Sequence, residues 1–197
     1  MENQPAVKLS IQYYRAFEYA NTWHRNQARK STVLPYILHP MGVASLVLEA
    51  GGDEEQAIAA LLHDVPEDCG GEVRLVEILE MFGPRVERIV RGCSDSLVAD
   101  REDKAPWRER KQAHIDHIKS ADMDTLMVTA ADKAHNGRAI ATDLQSIGAA
   151  VWDRFNAGRD DIIWYYTSFY DELAKRDVTP ALLNPLKSAI AIMKAGS

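Results

Sequence analysis

The chain has 197 residues, 46% hydrophobic and 26% charged, proportions ordinary for a single soluble globular domain with a sizeable core. A formal net charge of −6 argues against a protein that coats nucleic acid through a broad basic face. No apolar stretch reaches membrane-spanning length, and the start MENQPAVKLS lacks the layout of a signal peptide, so a cytoplasmic location is expected.

Nearly every segment reads as helix. Over residues 9–27, Tyr13, Phe17, Ala20 and His24 recur at three- and four-residue intervals. The turn-prone residues 31–35 break that helix, and Pro40 sits where the next could begin, with Val43, Leu46 and Val47 as its apolar stripe. Gly51-Gly52 closes it. Asp53 and Gln56 form a capping-box pair that opens a helix over residues 54–64. Pro66 should stop this helix near Asp64 or Val65, leaving Glu67 and Asp68 in a turn closed by Gly70-Gly71. Further helices are expected at 72–82 and 84–94, around Gly83-Pro84, then a polar loop at 96–106. The last helices should occupy 107–119, 124–145, 148–175 and 179–195. No strand pattern or internal repeat competes, so the expectation is one all-α domain.

The stretch AALLHDVPED concentrates the chemistry. It sets His63, Asp64, Glu67 and Asp68 directly after an apolar run. Burying that many ionisable groups without counter-charge would cost several kcal/mol per charge, roughly, so a bound divalent cation is an economical solution. The alternative is a helix that simply ends in a solvated turn. Cys69 and Cys93 lack the number and spacing of a zinc knuckle or a disulfide framework and read as reduced thiols.

Two distant residues can complete a site. Asp132 lies in LMVTAADKA, a run of apolar and small residues that should be buried, and an aspartate there needs a partner. Lys133 should point away around the helix, which leaves a metal or another helix. His39 in PYILHP adds a second imidazole. His39, His63, Asp64 and Asp132 together make a mixed nitrogen and oxygen set that suits Mn²⁺, Fe²⁺ or Zn²⁺ better than Ca²⁺. Glu67 and Asp68 would then flank the ion or act as bases toward its water. Asn136, one turn after Asp132, shares its face, whereas His135 reads as outward-facing. His114 and His117 in HIDHI could form a rival site, but no further ligand stands nearby. Positive charge gathers at His24-Arg25 with Arg29-Lys30, and again at Lys104, Arg108, Arg110 and Lys111.

Four blocks, Arg29-Lys30, PYILHP, LLHDVPED and ADKAHN, occur in the order of a known family. Over about residues 10–175 the chain resembles the HD-domain phosphohydrolases, and within them the RelA/SpoT hydrolase domain and the stand-alone small alarmone hydrolases. The resemblance implies a helical bundle of about eight to ten helices holding one Mn²⁺ on His39, His63, Asp64 and Asp132. It further implies Glu67 and Asp68 as the water-activating pair, with Arg29, Lys30 and Asn136 holding a nucleotide. The implied reaction removes pyrophosphate from the 3′ position of (p)ppGpp, giving GDP or GTP. Alternatives are the same chemistry on (p)ppApp, removal of the 2′-phosphate of NADPH, or a non-catalytic nucleotide-sensing HD domain. The expected partner is a small nucleotide, with no nucleic acid and no membrane, and with self-association left open. The resemblance aligns Trp107 with a position that is basic in an animal member of that family, so the segment after Pro106 departs from the family pattern there, with Arg108 next to it.

Overall fold

The computed structural model describes residues 7–94, 97 and 105–196. Among them are ten α-helices and no β-strand, as the periodicity predicts. Most of the predicted loop at 96–106, with Lys104, lies outside the described residues.

Local chemistry opens several of these helices. Ser10 starts α1 (Ile11–His24), its hydroxyl accepting from the Gln12 N–H at 3.1 Å. The helix α2 (Leu38–Glu49) begins ahead of Pro40, not at it. A proline in the first turn gives up only an N–H that has no intrahelical partner, so His39 is already helical. The capping box of α3 (Glu54–Leu62) forms as predicted: Asp53 accepts from the Gln56 N–H at 3.0 Å, and the Gln56 side chain accepts from the Asp53 N–H at 2.9 Å.

Pro66 behaves differently from expectation. The helix α3 does stop at Leu62, but Val65–Cys69 then form a short helix, α4, with Pro66 in its first turn. Proline is suited to that position because its fixed φ is already helical. Glu67 and Asp68 therefore ride on a helix and not on an open turn.

The helices α5 (Glu72–Phe82) and α6 (Pro84–Cys93) meet at Gly83, whose φ of +88° is left-handed. After α7 (Trp107–Ile118) comes α8 (Met123–Ile147), capped by Asp122 accepting from the Thr125 N–H at 2.8 Å. The expected helix over 148–175 is interrupted. Gly148 ends α8 at φ +63°, Gly148–Arg154 form a 3₁₀ stretch, and α9 runs from Arg159 to Lys175. The last helix, α10, spans Pro180–Ala195.

The axis of the bundle is α8. Leu126, Val128, Ala130, Ala131 and Ala134 are buried on it, and α2, α3, α6, α9 and α10 pack around it. At Gly137 a Cβ would stand 3.3 Å from Ala189, so the missing side chain lets α10 come close. One connected apolar cluster runs from Ala16 to Met193. This packing brings the start of α2, the α3–α4 junction and the middle of α8 to one place. The loop between α1 and α2 folds back over the same place: Ala28 and Pro35 form an antiparallel bridge, and the Tyr36 N–H donates to Gln27 O at 2.9 Å. No helix among the described residues is long and apolar enough to cross a membrane.

Candidate metal centre and active site

The α2 start supplies His39, the α3–α4 junction supplies His63 and Asp64, and α8 supplies Asp132. His39 Nε2 lies 3.3 Å from Asp64 Oδ2 and 3.1 Å from Asp132 Oδ1; His63 Nε2 lies 3.2 Å and 3.8 Å from the same atoms. His39, His63 and Asp64 each offer a ligand atom within 4.8 Å of the others. A six-coordinate ion with bonds of roughly 2.1 Å holds neighbouring ligand atoms about 3 Å apart, and these spacings match that edge. His63 Nε2 is buried and, beyond its two carboxylate contacts, has no hydrogen-bond partner, which fits a ligand atom. All four predicted ligands converge, and the donor set fits a divalent ion.

Surrounding groups hold these side chains in place. Tyr36, unremarked in the sequence, donates its hydroxyl to Asp64 Oδ2 at 2.6 Å. Asn136 donates to Asp132 Oδ1 at 2.6 Å and accepts from Arg29 at 2.9 Å, which ties the α1–α2 loop to α8. Lys133 does not point away from Asp132: its flexible stem curls back, and Nζ reaches Asp132 Oδ2 at 2.6 Å over the rings of Tyr165 and Phe169. His135 is likewise not outward. Its Nδ1 sits 3.0 Å from Nδ1 of His39, while His63 Nδ1 faces the backbone oxygen of Ala60 at 2.8 Å.

At His63, Asp64, Asp132 and Lys133 burial works against charge, and mutual attraction overrides it. His63 is raised well above the histidine range by Asp64 and Asp132, and both carboxylates are held well below theirs. Lys133 is raised by Asp132, although burial opposes it. Burial and the neighbouring His39 and Arg29 push His135 down to about 3, so it stays neutral. Burial and then Asp64 keep the Tyr36 phenol protonated.

Two cavities meet here. A cavity of about 160 Å³ is lined by His63, Asp64, Asp132, Glu67, Lys111 and Lys133, among others. Glu67 thus faces the ligand cluster. Asp68, its predicted partner, is exposed, and its carboxylate accepts from Gln27 at 2.8 Å; Gln27 in turn meets buried His24 at 2.8 Å. A larger cavity of about 540 Å³ is lined by Lys30, Arg138, Arg154, Phe155 and Tyr166, among others. Arg29, Tyr36 and Asn136 line both. Lys30 also donates to Asn156 at 3.3 Å.

The second basic cluster divides. Arg108 stacks 3.4 Å over Trp164 and pairs with Asp161, whereas Lys111 lines the smaller cavity. Trp107 packs edge-on against Tyr165. The aromatic run therefore splits three ways: Trp164 under Arg108, Tyr165 against Lys133 and Tyr166 in the larger cavity. His114 is buried 3.2 Å from the Tyr165 hydroxyl and His117 is exposed, so they share no site.

The chain matches the HD domain family over residues 16–163. It is 34% identical over 142 residues to a GTP pyrophosphokinase of Streptomyces coelicolor, covering 69% of the chain and 16% of that protein. It is 49% identical over 80 residues to a guanosine-3′,5′-bis(diphosphate) 3′-pyrophosphohydrolase of Aquifex aeolicus, covering 41% and 11%. The chain spans less than a fifth of the length of these relatives. Among solved structures, that of a metazoan ortholog of SpoT described as hydrolysing ppGpp aligns with a TM-score of 0.74 at 28% identity. That match covers 94% of this chain and 97% of that one. A crystal structure from Listeria monocytogenes aligns with a TM-score of 0.66 at 26% identity, covering 82% and 99%.

Proposed function

The chain belongs to the HD domain family, and from that premise we propose that it is a Mn²⁺-dependent hydrolase that removes the 3′-pyrophosphate of (p)ppGpp, giving GDP or GTP. The observation that carries this reading is the convergence of His39, His63, Asp64 and Asp132, the last three lining with Glu67 a cavity that joins a larger, cation-lined one. The matches to a guanosine-3′,5′-bis(diphosphate) 3′-pyrophosphohydrolase and to a metazoan ppGpp hydrolase support the substrate class.

His39, His63, Asp64 and Asp132 would hold the ion. When bound, a divalent cation lowers the pKa of water and offsets charge on the phosphate. Glu67 takes the proton of the attacking water from within the same cavity. The water oxygen bonds to the phosphorus next to the ribose, the bond to the 3′-oxygen breaks, and that oxygen takes up a proton. Lys111 and Lys133 present positive charge to the departing pyrophosphate. Arg29 and Asn136 stand where the cavities join, Lys30 lies in the larger one, and together they hold the nucleotide. The negative net charge is compatible with such a ligand because the cations are gathered at one place. A small nucleotide as substrate, no nucleic acid, and a cytoplasmic setting go with this reading.

The test incubates purified protein and Mn²⁺ with ppGpp, ppApp and NADPH and resolves products by ion-exchange chromatography. Release of GDP and pyrophosphate from ppGpp is expected. No conversion of ppGpp refutes the proposal, and turnover of ppApp or NADPH alone replaces its substrate.

A further inference from the structure

An imidazole that ligates through Nε2 must carry its own proton on Nδ1, and a neighbour that accepts this proton fixes both tautomer and ring angle. His63 uses the Ala60 carbonyl, one turn back on its own helix, at 2.8 Å. His39 stands in the first turn of α2, and its Nδ1 lies 3.0 Å from Nδ1 of His135 on α8. The two rings pack at 4.9 Å between centroids, tilted by 57°. Gly42, one turn along α2, leaves room for this: a Cβ there would stand 2.3 Å from His135 Nε2.

We infer that His135 is a positioning residue for the metal centre: its Nδ1 accepts the Nδ1 proton of His39 and thereby aims His39 Nε2 at the ion. The inference rests on the metal-dependent reading above. It assigns a task to a side chain that touches neither the ion nor the reacting phosphate. His135 also lines the larger cavity, so a single imidazole borders both a ligand and the chamber proposed for the nucleoside.

The test is calorimetric titration of the metal-free 197-residue chain with Mn²⁺, with no substrate present. His135→Phe keeps the bulk of the ring and removes the acceptor, and should weaken Mn²⁺ binding about 10- to 100-fold. His135→Asn puts an amide oxygen close to the place of Nδ1 and should recover most of the affinity, which a packing role would not predict. Gly42→Ala leaves His135 in the chain but drives its ring off, and should weaken Mn²⁺ binding in the same direction. Wild-type affinity in His135→Phe overturns the inference, as does an equal loss in the Phe and Asn variants. A wild-type chain that takes up no Mn²⁺ overturns the metal-dependent reading itself, a separate and recognisable outcome.

Discussion

Lys133→Met tests the electrostatics of the site without touching a predicted ligand. The side chains of Lys133 and Asp132 are each 11% exposed, and Nζ sits 2.6 Å from Oδ2. Removing one partner of a buried pair typically costs about 3–5 kcal/mol, because the other charge stays behind. Here Asp132 Oδ1 keeps Asn136 at 2.6 Å and His39 at 3.1 Å, and Met retains the stem that packs on Tyr165 and Phe169. The lower end, about 3 kcal/mol, is therefore expected. A chain of this size loses roughly 2–4 °C of melting temperature per kcal/mol, so the metal-free variant should melt about 6–12 °C lower. Mn²⁺ should restore much of the loss, since the ion becomes the counter-charge of Asp132 and no longer faces the ammonium. The Mn²⁺-induced rise should thus be larger in the variant than in the wild type. Calorimetric scans in EDTA and in Mn²⁺ give both quantities. A metal-free variant within about 2 °C of wild type, or an equal Mn²⁺ shift in both proteins, refutes the reasoning.

Glu67→Gln is isosteric, leaves α4 and the ligands intact, and removes only the base. Turnover should fall about 10²- to 10⁴-fold while calorimetric Mn²⁺ affinity holds, and a fully active variant would show that Glu67 is not the base. Asp132→Ala should abolish Mn²⁺ binding and turnover together, and retained metal binding would remove Asp132 from the ligand set. The pH dependence has a definite sign. The raised His63 contributes stability fully below its ordinary value of about 6.5, and that contribution fades as pH rises through its folded value. The lowered Asp64 and Asp132 contribute above about pH 4 and are lost as pH falls through their folded values. Since Mn²⁺ must displace the imidazole proton, its stabilising shift should grow between about pH 6 and about pH 8. A shift that stays flat across that window, followed by scanning fluorimetry, would contradict the assignment.

Much of the site was readable because of a single physical constraint. An aspartate in the apolar run around Asp132 and a His-Asp pair after Leu61-Leu62 both demand a partner, and a shared cation is one that serves both. The capping pair Asp53 and Gln56 was legible for a similar reason, since it is a purely local interaction. What escaped the sequence depends on neighbours that meet only in the fold. Lys133 was judged by helix geometry, which places Cα–Cβ vectors but not the end of a four-carbon stem. His135 was read as outward because nothing local marks the space left by Gly42, 93 positions earlier. At Pro66 the competing possibilities were helix stop and helix start, and only the docking of α4 against α1 and α5 decides between them. Tyr36 had a weak signal, one turn ahead of His39 in PYILHP.

The junction of the two cavities, where Arg29, Tyr36 and Asn136 line both, bears on the kind of ester that the proposed hydrolase would accept. The inner space, lined by His63, Asp64, Glu67, Lys111, Asp132 and Lys133 among others, is charged throughout and suits a phosphate head better than a nucleoside. On the proposed reading a substrate goes in phosphate first and leaves its sugar and base in the larger cavity. An internal phosphodiester, with a nucleoside on either side of the phosphorus, has no such free end to offer. A hydrolase working as proposed would therefore leave RNA and DNA strands uncut with no need to read a base.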